Sequence, residues 1–128
     1  MTTEITTQPT LLIVEDDAEL VEIFRLALAG EGFQVVTTAD GSQCLSLARQ
    51  TRPAAILLDL LVPGRSGHDL LHDLKEDAEL GSIPVIVVSG VAQHLSDHDF
   101  ELADVVIDKP FDFQELVALV RRRVRRLV

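Results

Sequence analysis

Residues Ala54 to Leu58 (AAILL) form a run in which no position is polar. A strand with one wet face alternates apolar and polar residues, so a run apolar on both faces must be covered on both sides. That is the position of a central strand in a parallel sheet packed between helices. Leu11 to Val14 reads as a second buried strand, and Val85 to Val88 as a third, with Pro84 placed at its start, where a missing donor is tolerated. Phe33 to Thr37 and Val105 to Ile107 supply two more.

Helical spacing fills the intervals. Leu20, Phe24, Ala27 and Leu28 make an apolar stripe stopped by Gly30 and Gly32. Gly41 to Gln50 is a second helix closed by Pro53. Leu70, Leu71 and Leu74 mark a third that ends near Gly81, started by Ser66 with Asp69 in capping-box spacing after the Pro63, Gly64 and Gly67 turn. Val91 to Leu102 carries only a ragged stripe and predicts a short or irregular helix. Phe113, Leu116, Val117, Val120 and Val124 mark a closing amphipathic helix. Five strand and helix pairs joined by right-handed crossovers specify an α/β fold, a doubly wound five-stranded parallel sheet with helices on both faces.

At 128 residues one domain is expected, with residues 1–9 as a polar, flexible lead-in, 10–128 as the folded unit and no output domain. Apolar runs fall far short of the ~20 residues that cross a bilayer, and the polar start lacks the regions of a secretory signal, so no membrane association is expected. The single Cys44 excludes an internal disulfide and fits a reducing cytoplasm. Its neighbours Leu45, Leu47 and Ala48 make it a small core residue rather than a reactive thiol. Net charge is -10, yet five of the eleven basic residues cluster at Arg121, Arg122, Arg123, Arg125 and Arg126. Residues 1–120 therefore carry 21 acids against 6 bases, a body that repels nucleic acid and suits a metal cation or a basic protein surface.

Every strand except the second ends in a polar group: Glu15 and Asp16, Asp59, Ser89, and Lys109. Parallel strands deliver these ends to one edge, where open α/β sheets hold their ligand crevice. Clustered carboxylates are unfavourable unless one is protonated or a cation enters, and oxygen ligands with room for water suit Mg²⁺. Lys109 supplies a point charge, and the Ser89 hydroxyl a donor to an oxyanion. A nucleophile, a metal, a cation and a hydroxyl are what phosphoryl transfer requires, with Asp59 as the nucleophile.

The segments LLIVEDD, ILLDLLVPGRSG, VIVVSG and DKPF, in this order, resemble the receiver domains of two-component response regulators over nearly the whole chain. The resemblance implies a flavodoxin-like strand order 2-1-3-4-5. It also implies phosphorylation of Asp59 by a histidine kinase or histidine phosphotransfer protein, with Mg²⁺ held by Glu15, Asp16, Asp59 and the backbone carbonyl of Leu61. Ser89 and Lys109 would engage the phosphoryl group, and the bond before Pro110 would be cis. A stand-alone cytoplasmic switch follows, acting on a downstream protein target, catalysing only its own phosphorylation and dephosphorylation. Monomer and phosphorylation-dependent dimer both stay open.

Asp17 reads as a helix start alone. The pairs His68 with His72 and His94 with His98 have same-face helical spacing, but with no further ligands converging they read as exposed histidines rather than a zinc site, His94 lying near the site mouth. The arginine cluster complements the last helix's negative pole or forms a docking surface for an acidic partner. Val106 stands where the family usually has an aromatic, Leu102 where it usually has glycine, and Asp108 beside Lys109 is unusual. These departures leave the phosphorylation chemistry intact but bear on the output mechanism, and Val106 with the unusual fourth helix motivates an alternative, a phosphorylation-independent interaction module. A phosphatase would want a second acid where Leu61 stands.

Overall fold

The computed structural model describes residues 8–90 and 95–124. The expectations for residues 1–7 of the lead-in, for Val91 and His94, and for Arg125 and Arg126 lie outside the described residues. The elements run β1 (Thr10–Val14), α1 (Ala18–Ala29), β2 (Gln34–Thr38), α2 (Cys44–Thr51), β3 (Ala55–Leu58) and α3 (Gly67–Glu76). They continue with β4 (Val85–Ser89), α4 (Asp97–Leu102), β5 (Val105–Asp108) and α5 (Phe113–Arg123). All pairings are parallel, in the order β2-β1-β3-β4-β5.

The doubly apolar strands lie in the middle of this order, buried at every residue of β3 and β4. Alternate side chains feed two cores. Leu12, Val14, Ile56, Leu58, Val85 and Val87 face Cys44 and Ala48 of α2 and Leu70, Leu71 and Leu74 of α3. Leu11, Ile13, Leu57, Ile86 and Val88 face Phe24 and Leu28 of α1 and Leu116 and Val120 of α5. Each of the valine, leucine, isoleucine and phenylalanine side chains among these contributes about 1.5–3 kcal/mol relative to exposure. Phe24 also stacks on Phe111 at 5.7 Å, with Phe113 edge-on at 5.6 Å, which anchors α5 behind the sheet. Cys44 is buried as expected, and burial pushes its thiol up to about 11.

Three boundaries depart from the sequence reading. Gly41–Gln43 is a 3₁₀ turn preceding α2, because the Asp40 side chain accepts from the Ser42 amide at 2.9 Å and its hydroxyl at 2.7 Å. Helix α3 stops at Glu76 rather than near Gly81, since the Asp77 carboxylate takes the Glu79 and Leu80 amides at 2.8 and 3.1 Å and turns the chain. Phe33 is buried but precedes β2. Helix α4 is short, six residues, as its ragged stripe implied. Ser66 caps α3 by accepting from the Asp69 amide at 3.4 Å, while a reciprocal capping box is formed by Ser96 and Asp99 at α4.

Candidate functional site

Register places the site. Val14 is paired with Thr38 on one side and Leu58 on the other, so the next residues of β1 and β3, Glu15 and Asp59, emerge side by side. Their amides continue the ladder: Glu15 N donates to Thr38 O at 3.0 Å and Asp59 N to Val14 O at 3.0 Å. Two carboxylates are thus pinned at the sheet edge, Glu15 2% exposed and Asp59 5% exposed. Exposed Asp16 completes the cup, and one carboxylate oxygen from each of the three lies within 4.8 Å of the others.

Lys109 reaches across from the end of β5. Its ammonium donates to Asp59 Oδ2 at 2.9 Å and Glu15 Oε1 at 3.0 Å. Its backbone N donates to Ser89 O at 3.1 Å, which ties the β5 end to the β4 end, and the Lys109–Pro110 bond is cis. Ser89 is fully buried at that same edge. Asp59 Oδ1 accepts from the Leu61 amide at 2.9 Å, and Glu15 Oε2 from the Asp17 amide at 3.2 Å. The sequence offered no signal for these two amide bonds, nor for Lys109 bridging to Glu15, because each depends on how loops close rather than on residue type. Asp17 caps α1 through the Glu19 and Leu20 amides, the helix-start role read from the sequence.

The electrostatics follow from burial. Burial pushes the Glu15 carboxyl up, the hydrogen bond from Lys109 pulls it back, and the charge of Asp59 pushes up again; the net direction is up. Burial alone would lower the Lys109 ammonium, but hydrogen bonds and charges from Asp59 and Glu15 overrule it and hold it above its ordinary value. Three acids face one ammonium, so a divalent cation would relieve the remaining repulsion. The donor set is all oxygen, which fits Mg²⁺ and disfavours metals that prefer nitrogen or sulfur.

Fold and cup together define a class: a flavodoxin-like α/β domain with a metal-ready acidic pocket and a lysine at the carboxyl edge of its sheet. Residues 11–121 match the family model of the response regulator receiver domain, and the chain belongs to that family. It is 39% identical over 121 residues to the DNA-binding response regulator MtrA of Mycobacterium tuberculosis, covering 91% of this chain and 50% of that protein. The MtrA of Mycolicibacterium smegmatis is 38% identical with the same coverage. The chain thus spans about half the length of the curated relatives it matches.

Among solved structures, a CheY-like receiver domain from Methylobacillus flagellatus superposes with a TM-score of 0.81 at 27% identity, covering 91% of this chain and 99% of that one. The phosphorylated cyanobacterial phytochrome response regulator RcpA gives 0.77 at 29% identity, covering 91% of each chain. TrrA of Thermotoga maritima, in complex with Mg²⁺ and BeF, gives 0.80 at 23% identity, covering 90% of this chain and 98% of that one, a likeness of fold alone. Among the described residues no helix is long and apolar enough to cross a membrane.

Proposed function

We propose that this domain accepts a phosphoryl group on Asp59 from a phosphohistidine of a kinase or phosphotransfer protein, and that the modification switches a protein-binding surface. The observation that carries the reading is the convergence of Glu15, Asp16 and Asp59 within 4.8 Å, with Lys109 bonded to two of them. Asp59 Oδ attacks the phosphorus, the P–N bond breaks as the O–P bond forms, and the imidazole leaves with its electron pair and takes up a proton. The Leu61 amide on Oδ1 fixes the carboxylate so that one oxygen stays aimed at the incoming group. Lys109 exchanges its Asp59 contact for a phosphoryl oxygen, and Ser89 donates its hydroxyl to another. Glu15, Asp16, Asp59 and the Leu61 carbonyl would hold Mg²⁺, which would supply charge neutralisation for the phosphoryl group.

The domain then acts on itself alone, as a phosphoacceptor rather than an enzyme with external substrates. A protein surface rather than nucleic acid as the direct contact of this domain is supported by the 21 acids against 6 bases in residues 1–120. Apolar Leu61 next to the cup, together with Val91, which lies outside the described residues, would limit the access of water to the acyl phosphate and favour a long-lived modification. The test is incubation of the full chain with Mg²⁺ and a small acyl phosphate, read by intact mass and peptide mapping. One phosphoryl group on Asp59, absent in Asp59→Asn, is expected; an unmodified chain overturns the proposal. Half-buried Val106 on β5, in place of an aromatic, favours the phosphorylation-independent module instead. That module requires Asp59→Asn to keep full partner binding.

A further inference from the structure

The chain has four histidines, in two pairs spaced four residues apart. Packing of α3 against α4 brings His68 and His72 from one pair to His98 of the other, around Asp99. This seam shares no residue with the acidic cup. Asp99 is buried, its side chain 4% exposed, and its Oδ2 is bonded to His68 Nδ1 at 2.7 Å and accepts from the Ser96 amide at 3.0 Å. Its Oδ1 faces His72 Nε2 at 3.9 Å, beyond hydrogen-bond reach. The His72 ring in turn lies 4.6 Å from the His98 ring, centroid to centroid, tilted by 50°. His98 Nδ1 stands 3.6 Å from Glu101 Oε1 on the same helix.

We propose that this seam is a second cation site, for a borderline transition dication such as Zn²⁺. His72, His98 and Asp99 Oδ1 are its ligands, and His68 orients the Asp99 carboxylate. Two of the three ligand separations lie near what that chemistry needs, and the His98 ring has to swing toward the Asp99 carboxylate to supply the third. Metal–nitrogen bonds of about 2.0–2.1 Å put two imidazole centroids on one ion roughly 4.5–5.2 Å apart, between right-angle and tetrahedral bonding. The 4.6 Å separation lies in that range. Neighbouring ligand atoms on a tetrahedral ion are about 3.3 Å apart, so the 3.9 Å gap between His72 and Asp99 closes by about half an ångström.

Among the described residues only the cup already holds three ligand atoms within 4.8 Å of one another, so the seam completes itself on the ion. His72 and His98 are 36% and 57% exposed and have room to rotate, whereas the buried carboxylate is fixed. The hydrogen bond from His68 to Asp99 is the outer-shell device that orients a ligand. Two nitrogens and one oxygen select Zn²⁺, Ni²⁺ or Cu²⁺ over Mg²⁺, while the all-oxygen cup does the reverse. Helix α3 follows the Asp59 loop and α4 follows the segment leaving Ser89, so an ion here links the two elements that exit the cup.

The experiment titrates Zn²⁺ into the untagged full chain in saturating Mg²⁺, by calorimetry. One Zn²⁺ per chain is expected, half-saturating in the micromolar range. His72→Ala and His98→Ala, at exposed positions that leave the fold intact by thermal melt, should each weaken binding about a hundredfold. His68→Gln should weaken it about tenfold, as loss of an outer-shell partner does. Asp59→Asn should bind Zn²⁺ as the parent does. Absence of binding up to millimolar Zn²⁺ overturns the site. So does a Zn²⁺ that survives His72→Ala or disappears in Asp59→Asn, which places the ion in the acidic cup.

Discussion

Glu15 is under opposing forces at the scale of a single side chain. It is nearly sealed from water, bonded to Lys109 at 3.0 Å, and crowded by Asp59, with burial the largest influence and the net direction upward from its ordinary 4.5. A carboxyl whose folded-state pKa exceeds its unfolded value stabilises the fold in its protonated form. That contribution is complete below the unfolded value and is lost as pH rises through the folded one. Glu15→Gln keeps the protonated shape at every pH. In metal-free buffer the variant should therefore melt above the parent at pH 8, and the gap should shrink steadily toward pH 4. A variant that melts below the parent at pH 8 would mean that the Lys109 pair, not the cost of the buried charge, governs this position. The polar ends Glu15, Asp16, Asp59 and Lys109 were legible in the sequence because parallel strands must deliver their termini to one edge. The Leu61 and Asp17 amides that orient two of those carboxylates were not, since loop closure decides them.

Helices and loops set the cup's dimensions at the next scale. Gly67 opens α3 directly against the loop that leaves β3: a Cβ there would lie 2.3 Å from Leu60 Cα and 2.5 Å from its carbonyl oxygen. These are backbone atoms with nowhere to yield, and Leu60 follows Asp59. Gly67→Ala should destabilise the domain by about 1–3 kcal/mol, the usual range for overpacking, and weaken Mg²⁺ binding along with it. Urea unfolding and a metal titration check both; a variant as stable as the parent would show that the loop has slack. Element order and core faces were readable from doubly apolar runs and helical stripes. The end of α3 was not, because Asp77 turns the chain by capturing two amides, a local competition that an apolar stripe does not report. The histidine seam was equally invisible. Each pair shows its spacing in sequence, but only the packing of α3 on α4 brings His72 to 4.6 Å from His98.

Charge is a property of the whole molecule. With 21 acids against 6 bases in residues 1–120, self-repulsion works against the compact state, and any salt should relieve part of it. The arginines of α5 answer this only locally: Arg121 pairs with Glu31 across to the end of α1, and Arg121 to Arg123 occupy the last turn, where the helix's negative end favours them. Raising NaCl should therefore lift the melting temperature of parent and variants alike, levelling off once the screening length falls to a few ångströms, near about 1 M. Mg²⁺ acts differently if the cup holds it. At matched ionic strength, a Mg²⁺ concentration ten times its dissociation constant adds about 1.4 kcal/mol to the native state, several degrees in a domain of this size. That increment should vanish in Asp16→Asn, whose carboxylate is exposed and makes the mildest change to the fold, while the NaCl response stays. Differential scanning calorimetry of the two proteins in NaCl and MgCl₂ series separates the effects. Equal Mg²⁺ increments in parent and variant would assign the whole response to general screening and leave the cup without a specific ion.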